Sequence, residues 1–518
     1  MSLRSYLLGS VAIGSALAMA APAMAQSNNA VNAQIQALQD QLRAVNQQLQ
    51  SLQGQVIQTQ QSQAQATATV NQLKTAPALS SNGAVVSMPN NRPTFSTADG
   101  RNSISLTGRL HYDMGDYVNT SANPRANITN NLNSGVNLRR GRIGVLGKVA
   151  NDWNFALVYD FGGSNDAGPA TGTTGGITSG GIENAELTYN GFRPFAVELG
   201  YQDIPFTLDE ATSSNDIMFM ERSSSQVIAA NLAAGDFRSN IGGHWNNDRA
   251  WIGVYATGPT SGSSHAGFGT QFGATGRATY QLLQNDNYSL HIGVNAEGLM
   301  KPPTSGAGGF RQVTTFSDRP ELRIDTTQVL NTGTLGSLTN PVTGASVFGA
   351  ELAGGLGPLF AQAEYFHYNV GRQGLSAANF DGGYVQASYT ITGEHRKYNP
   401  STGAYTGITP AHPFDIAGLS EGAWGAFEVA GRFSMVNLND HYTTGGATSG
   451  STNAVAGGEQ HVFTVGANWY VNNNLRFMLD YNHGVINRAN GGAVAGAPLG
   501  TGIGLKYDAI AMRTQIAF

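Results

Sequence analysis

The sequence predicts an all-β fold, a 16-stranded antiparallel transmembrane β-barrel preceded by an N-terminal periplasmic α-helical coiled coil. Three observations carry this expectation. Segments with two-residue alternation recur from Ser103 to the C-terminus. The last of them ends on an aromatic, Phe518. Charged residues make up only 12% of the 518 residues, where a soluble domain carries roughly a quarter.

The final segment shows the logic. Tyr507, Ala509, Ala511, Arg513 and Gln515 share one side of an extended chain, and Ile510, Met512, Thr514, Ile516 and Phe518 share the other. Successive side chains of a strand point to opposite faces. An apolar face suits lipid and a polar face suits a water-filled lumen. Gly is abundant at 67 residues and Cys is absent. No run of about 20 apolar residues follows the N-terminal region, which argues against membrane-spanning helices.

The elements follow in order. Residues 1–25 read as a signal peptide: Arg4 supplies a positive start, Leu7 to Ala20 an apolar stretch, and Ala23-Met24-Ala25 a small-x-small cleavage site. Cleavage before Gln26 removes Arg4 and no acid, moving the net charge from −5 to −6. A mildly acidic chain argues against nucleic acid as a partner.

Residues 26–75 form the coiled-coil segment. Val31, Ile35, Leu38, Leu42, Val45, Leu49, Leu52 and Val56 are spaced alternately four and three apart, the heptad pattern of helices that pair through a narrow apolar seam. Asp40 and Arg43 are the only charges before Lys74, so charge guides partner choice little, and a parallel homotrimer is expected. A Gln-rich disordered spacer is the other reading of this stretch. Pro77, Pro89 and Pro93 mark residues 76–102 as a linker.

Residues 103–518 carry the strand signals. Ile104, Leu106, Leu110, Tyr112 and Met114 alternate with polar residues, and the pattern returns at Phe155–Phe161, Phe195–Tyr201, Val385–Ile391, Phe463–Trp469 and Leu475–Tyr481. Short Asn-, Asp- and Gly-rich turns occur at Asn151-Asp152, Asn246-Asn247-Asp248, Asn285-Asp286-Asn287, Gly355-Leu356-Gly357 and Asn472-Asn473-Asn474. Short turns belong on the periplasmic side and long loops on the extracellular side. The count is sixteen if residues 301–344 form one loop despite a weak strand signal at 321–325. Residues 393–421 make an unusually long periplasmic turn. The third long loop, about 202–236, contains Ile217, Met218, Phe219 and Met220. These apolar residues are expected to fold into the barrel and narrow it; an extracellular cap is the alternative.

Strand parity assigns the lumen. If Ile143, Val145 and Val149 face lipid, then Arg140, Arg142 and Lys148 face water. The same rule turns Arg109, Arg238, Arg277, Arg432, Arg476 and Arg513 inward, together with Asp113, Asp160, Glu186, Glu198, Glu297, Glu364, Glu428 and Asp480. The constriction loop carries Asp203, Asp209, Glu210, Asp216, Glu221 and Asp236 against Arg222 alone. Two readings follow. A row of guanidinium groups can bind an anion through paired N–H donors, with Arg140 and Arg142 as its best positions. Alternatively the arginines pair with lumen acids and create a transverse field.

Several segments carry a family resemblance. They are Leu138-Arg139-Arg140-Gly141-Arg142-Ile143; Pro205-Phe206 through Thr212-Ser213-Ser214 to Phe219-Met220-Glu221-Arg222; Gly393-Glu394-His395-Arg396; and Gly422-Ala423-Trp424 leading to Phe427-Glu428-Val429-Ala430-Gly431-Arg432-Phe433. Across about 100–518 their order resembles the phosphate-selective porin O and P family. The resemblance implies a sixteen-stranded trimeric porin in the outer membrane of a Gram-negative bacterium. It would pass small hydrophilic solutes passively, phosphate or other anions among them. The alternative is a general or weakly cation-preferring porin whose coiled coil tethers the membrane to the cell wall. The partners implied are outer-membrane lipids, two further copies of the chain, the solutes and the cell wall. An enzyme is not expected, because His265 and His441 in the rim loops lie in no nucleophile motif. The ten scattered His and the missing Cys offer no metal site, and no cofactor is implied.

Overall fold

The fold is that of a computed structural model describing residues 43, 83–122, 132–162, 181–233, 237–259, 271–285, 287–305, 311–312, 314–325, 327–441, 453–489 and 502–518. The signal segment, the heptad residues and His265 lie outside the described residues, as does Asp236.

Sixteen antiparallel strands close on themselves. They are β1 (Ser103–Ala122), β2 (Gly135–Val149), β3 (Trp153–Asp160), β4 (Gly181–Tyr189), β5 (Phe195–Gln202), β6 (Arg238–Asn246), β7 (Ala250–Thr257), β8 (Phe272–Gln284), β9 (Tyr288–Lys301), β10 (Val342–Leu356), β11 (Leu359–Arg372), β12 (Ala378–Thr390), β13 (Ala426–Asp440), β14 (Val455–Tyr470), β15 (Leu475–Ala489) and β16 (Gly502–Ala517). Each pairs with its neighbours in sequence, and β16 closes the ring on β1. Closure removes the exposed edges that a flat sheet would carry. The backbones of Gly108 and Phe518 exchange hydrogen bonds of 3.0 and 3.1 Å. The tip of the Phe518 ring lies 2.6 Å from where a Cβ on Gly108 would stand, so the ring packs directly over that glycine.

The barrel is turned inside out relative to a soluble fold. Ile510, Met512 and Ile516 are exposed on the outer face, while Arg513 and Asp113 are 0% exposed inside. Outer aromatics gather at the short-turn rim: Phe427 stacks on Trp469 and Trp469 on Phe477, with ring centroids 5.9 and 5.7 Å apart. Such girdles mark the membrane interface. The described part of the expected linker, from residue 83, pairs with the barrel. Ala84–Ser87 pairs with Thr94–Thr97, which pairs with the start of β1.

Three inserts fill much of the lumen. The third loop, described over 203–233 and at 237, lies against the inner wall, and Ile217 to Met220 are buried. It holds two short helices, α1 (Leu208–Ala211) and α2 (Ser224–Ala230), capped by the side chains of Thr207 and Ser223. Between β9 and β10 the described parts of 302–341 hold only two-residue pairings and no barrel strand. The 321–325 stretch is a turn inside the barrel, where Leu322 is buried and its carbonyl faces the Tyr117 hydroxyl. Residues 391–425, at the short-turn rim, rise into the barrel from the opposite end. Their small hairpin of Tyr398–Asn399 and Ala404–Tyr405 joins an apolar cluster with Met218 and Phe219 of the third loop.

Candidate pore and constriction

A bulge in β2 shapes the cationic wall. Arg109 pairs across strands with Arg142 and His111 with Arg140, and the register then shifts so that Tyr112 meets Leu138. The extra residue is Arg139, and both Arg139 and Arg140 are buried on the lumen side. Parity puts Arg140 and Arg142 on one face and Arg139 on the other, and the bulge adds Arg139 to the buried side because it breaks the two-residue rule. Like charges directly opposite one another are unfavourable unless counter-charges or a passing anion compensate them.

Most lumen arginines are compensated by carboxylates. Arg139 donates to Glu221 at 2.7 Å, and Arg513 donates to Asp113 at 2.6 Å and to Glu221 at 2.9 Å. Arg432 holds Glu321 at 2.7 Å and Arg277 holds Glu351 at 2.9 Å. Arg142 divides its charge between Asp160 at 2.9 Å and Glu183 at 2.8 Å. Cross-pairing, the second reading of parity, therefore accounts for Arg142, Arg277, Arg432 and Arg513.

Most described loop acids are likewise held by arginines or packed against an insert. Arg222 lies 3.6 Å from Asp209 and 3.5 Å from Glu210, and Glu221 is held by Arg139 and Arg513. The Asp216 carboxylate lies against Gly407 of the 391–425 insert, and its carbonyl accepts from Arg396 at 2.6 Å. Burial pushes the Asp209 and Asp216 carboxyls up, against the pull of Arg222 on the first and Arg396 on the second. Asp203 stands half-buried at the base of the loop.

What the loop presents to β1 is neutral. Arg109 donates to the hydroxyls of Ser214 at 2.5 Å and Ser213 at 3.3 Å, and among the described residues no carboxylate lies within ion-pair distance of it. The His111 ring meets the Asn215 side chain at 3.1 Å. Arg476 donates to the Asn215 carbonyl at 3.1 Å and lies over the Tyr470 ring. Arg238 donates to the Asn231 carbonyl at 2.8 Å. The constriction is thus a line of guanidinium groups facing a Ser–Ser–Asn lip.

Sequence reasoning missed Arg396. It sits in the Gly393-Glu394-His395-Arg396 motif and binds Glu428 with two nitrogens, at 2.8 to 3.1 Å. Burial opposes its charge, but Glu428, Tyr470 and Asp216 push its pKa up. The motif was visible in the sequence; its partner is 32 residues away on a barrel strand, and no local pattern identifies it.

A closed barrel of sixteen strands with an inward third loop and a charged lumen defines an outer-membrane porin. The family described as phosphate-selective porin O and P matches residues 104–518, and the chain belongs to it. Porin O of Pseudomonas aeruginosa is 24% identical over 407 residues, covering 74% of this chain and 83% of the relative. An uncharacterized protein of Caulobacter vibrioides is 25% identical over 403 residues, covering 75% and 69%. Among solved structures, an anion-selective porin from Comamonas acidovorans has 13% identity and a TM-score of 0.43, with 80% of this chain and 100% of that chain covered. The outer-membrane channel DcaP of Acinetobacter baumannii has 12% identity and a TM-score of 0.44, with 80% and 97% covered. The chain is a channel rather than an enzyme.

Proposed function

We propose that this porin passes small anions, phosphate among them, by passive diffusion along the Arg109 and Arg140 face of the lumen. The observation that carries the reading is the neutral lip. Asp209, Glu210 and Glu221 of the loop lie against arginines and Asp216 is packed against an insert, while Arg109 is left facing Ser213 and Ser214. Hydroxyl and guanidinium donors together can replace part of an anion's hydration and still release it. The family description favours the same solute class.

A second reading is a weakly selective general pore, favoured by the pairing of Arg142, Arg432 and Arg513. The two separate in a planar bilayer. Replacing Arg109 and Arg140 by Ala should lower the anion-to-cation permeability ratio roughly tenfold, the worth of one charge-assisted contact. An unchanged ratio would favour the general pore.

We also read the assembly as a homotrimer in the outer membrane, exported with residues 1–25 removed. Strands β3 to β7 have 8 or 9 residues, whereas the others have 13 to 20. Eight tilted residues rise only about 19 Å, short of an apolar band roughly 25 Å tall. Their outer face is nonetheless apolar, with Leu157, Val197, Leu199, Ile241 and Val254 exposed. A wall too low for lipid and too apolar for water suits contact with another copy. The heptad from Val31 to Val56 supports the same stoichiometry and offers a periplasmic contact to the cell wall.

A further inference from the structure

The segment ahead of the barrel brings a cation to the short-turn rim. Ala84–Ser87 and Thr94–Thr97 pair with each other and then with the start of β1. The turn between them is pinned on both sides. The Asn91 side chain donates to the Asn474 side chain at 2.5 Å, in the turn between β14 and β15. The Arg92 backbone N–H donates to the Pro89 carbonyl at 3.0 Å, and the Leu106 N–H of β1 donates to the Pro93 carbonyl at 2.9 Å. These bonds fix the backbone on either side of Arg92. Its guanidinium has no hydrogen-bond or ion-pair partner among the described residues. Arg92 also lies outside the stretch, 104–518, that the chain shares with its family.

A cleft of about 170 Å³ opens beside it. Its charged lining residues are Arg92, Arg476 and Asp216, and Asn215, Gln515 and the Asn472–Asn474 turn complete its polar wall. The cleft is continuous with the constriction. Asn215 belongs to the neutral lip, and both Arg476 and Gln515 donate to its carbonyl, at 3.1 and 3.0 Å. Arg476 is 2% exposed, and its Nε has no hydrogen-bond partner. A buried donor normally has one, and an anion or water in the cleft can supply it. Asp216 opposes an anion here, but it is already drawn to Arg396 and Arg476. Two guanidinium groups against one carboxylate leave the lining positive.

We propose that Arg92 is a residue of the pore: with Arg476 it holds a small oxyanion at the short-turn mouth, next to the lip. This rests on the anion reading of the lumen and extends the ion path to a segment ahead of the barrel. An anion that leaves Arg109 passes to Arg476 and then to Arg92. Successive weak sites keep an ion bound without trapping it. The two cations are opposed by one acid, so Arg92 and Asp216 act on the same anion with opposite sign.

The test is block of the single-channel KCl current by inorganic phosphate, added to each side of a planar bilayer in turn. Arg92→Ala should raise the half-blocking concentration about tenfold from one side and less from the other. Arg92→Lys should restore most of the block, because it restores the charge. Asp216→Asn should move the titration the opposite way, to lower phosphate. The KCl current of each variant reports that its barrel is assembled. Block of the native channel that Arg92→Ala leaves unchanged from both sides would overturn the proposal and leave the anion reading standing. No block of the native channel from either side, with a cation-selective reversal potential, would overturn both.

Discussion

Whether an arginine in this lumen is structural or available is decided by its neighbours. Arg513 lies between Asp113 and Glu221, wholly buried, and acts as a rivet between wall and third loop. Arg513→Ala should cost about 3–5 kcal/mol by leaving two buried carboxylates uncompensated, seen as a lower unfolding temperature of the purified barrel in detergent. Arg109, facing serine hydroxyls, should cost little stability and much selectivity. The loop acids add a pH dependence. Asp209 and Asp216 are pushed up by burial, so on acidification they take protons before ordinary carboxyls, which titrate near about 4. The lumen then becomes more positive, and anion preference should rise as pH falls below neutral. A preference that is flat, or that falls, would show these two acids remote from the ion path. Parity assigns faces from alternation, which is a local rule. It failed at Arg139 because a bulge depends on the partner strand. It left the pairing of Glu221 unread because Arg139 and Arg513 stand 82 and 292 residues away in sequence.

At the scale of elements, the inserts set the bore. A sixteen-stranded porin barrel leaves an aqueous channel, and here three segments occupy part of it. The inward turn of the third loop was legible, since four apolar residues in a row are poorly placed in water. The length of 393–421 was legible too, but its ascent into the lumen was not. That ascent depends on scattered anchors: Trp251 donating to the Ser401 carbonyl, Arg277 to the carbonyls of Thr402 and Gly403, and Arg396 to Glu428. Gly403 adopts a left-handed backbone with φ of +61°, and a Cβ there would meet Thr279 at 2.8 Å and Trp251 at 3.0 Å. Gly403→Val should therefore loosen the hairpin and raise single-channel conductance. Replacing the whole insert by a short Asn-Gly turn should raise it further, by a factor of about two or more, if the insert fills the lumen as its contacts indicate. Unchanged conductance in both would mean that the ion path avoids this end of the barrel.

For the whole molecule, two periodicities in the sequence correspond to two environments. The period of two builds a wall between lipid and water, and the described barrel follows it strand by strand. The heptad at residues 31–56 belongs to a separate part of the chain and bears on assembly. Native mass analysis of the mature protein in detergent should give a trimer. Deleting residues 29–74 should leave conductance intact, with the short wall of β3 to β7 still holding the copies together. A monomer before deletion would remove the heptad and the short strands as arguments for assembly. The measurement that bears most directly on the central claim is the reversal potential of the native channel under a KCl gradient, repeated with phosphate added. An anion-selective potential, with chloride current reduced by phosphate, is the predicted result. A cation-selective potential with no effect of phosphate would contradict the account, because the lumen carboxylates would then outweigh Arg109 and Arg140.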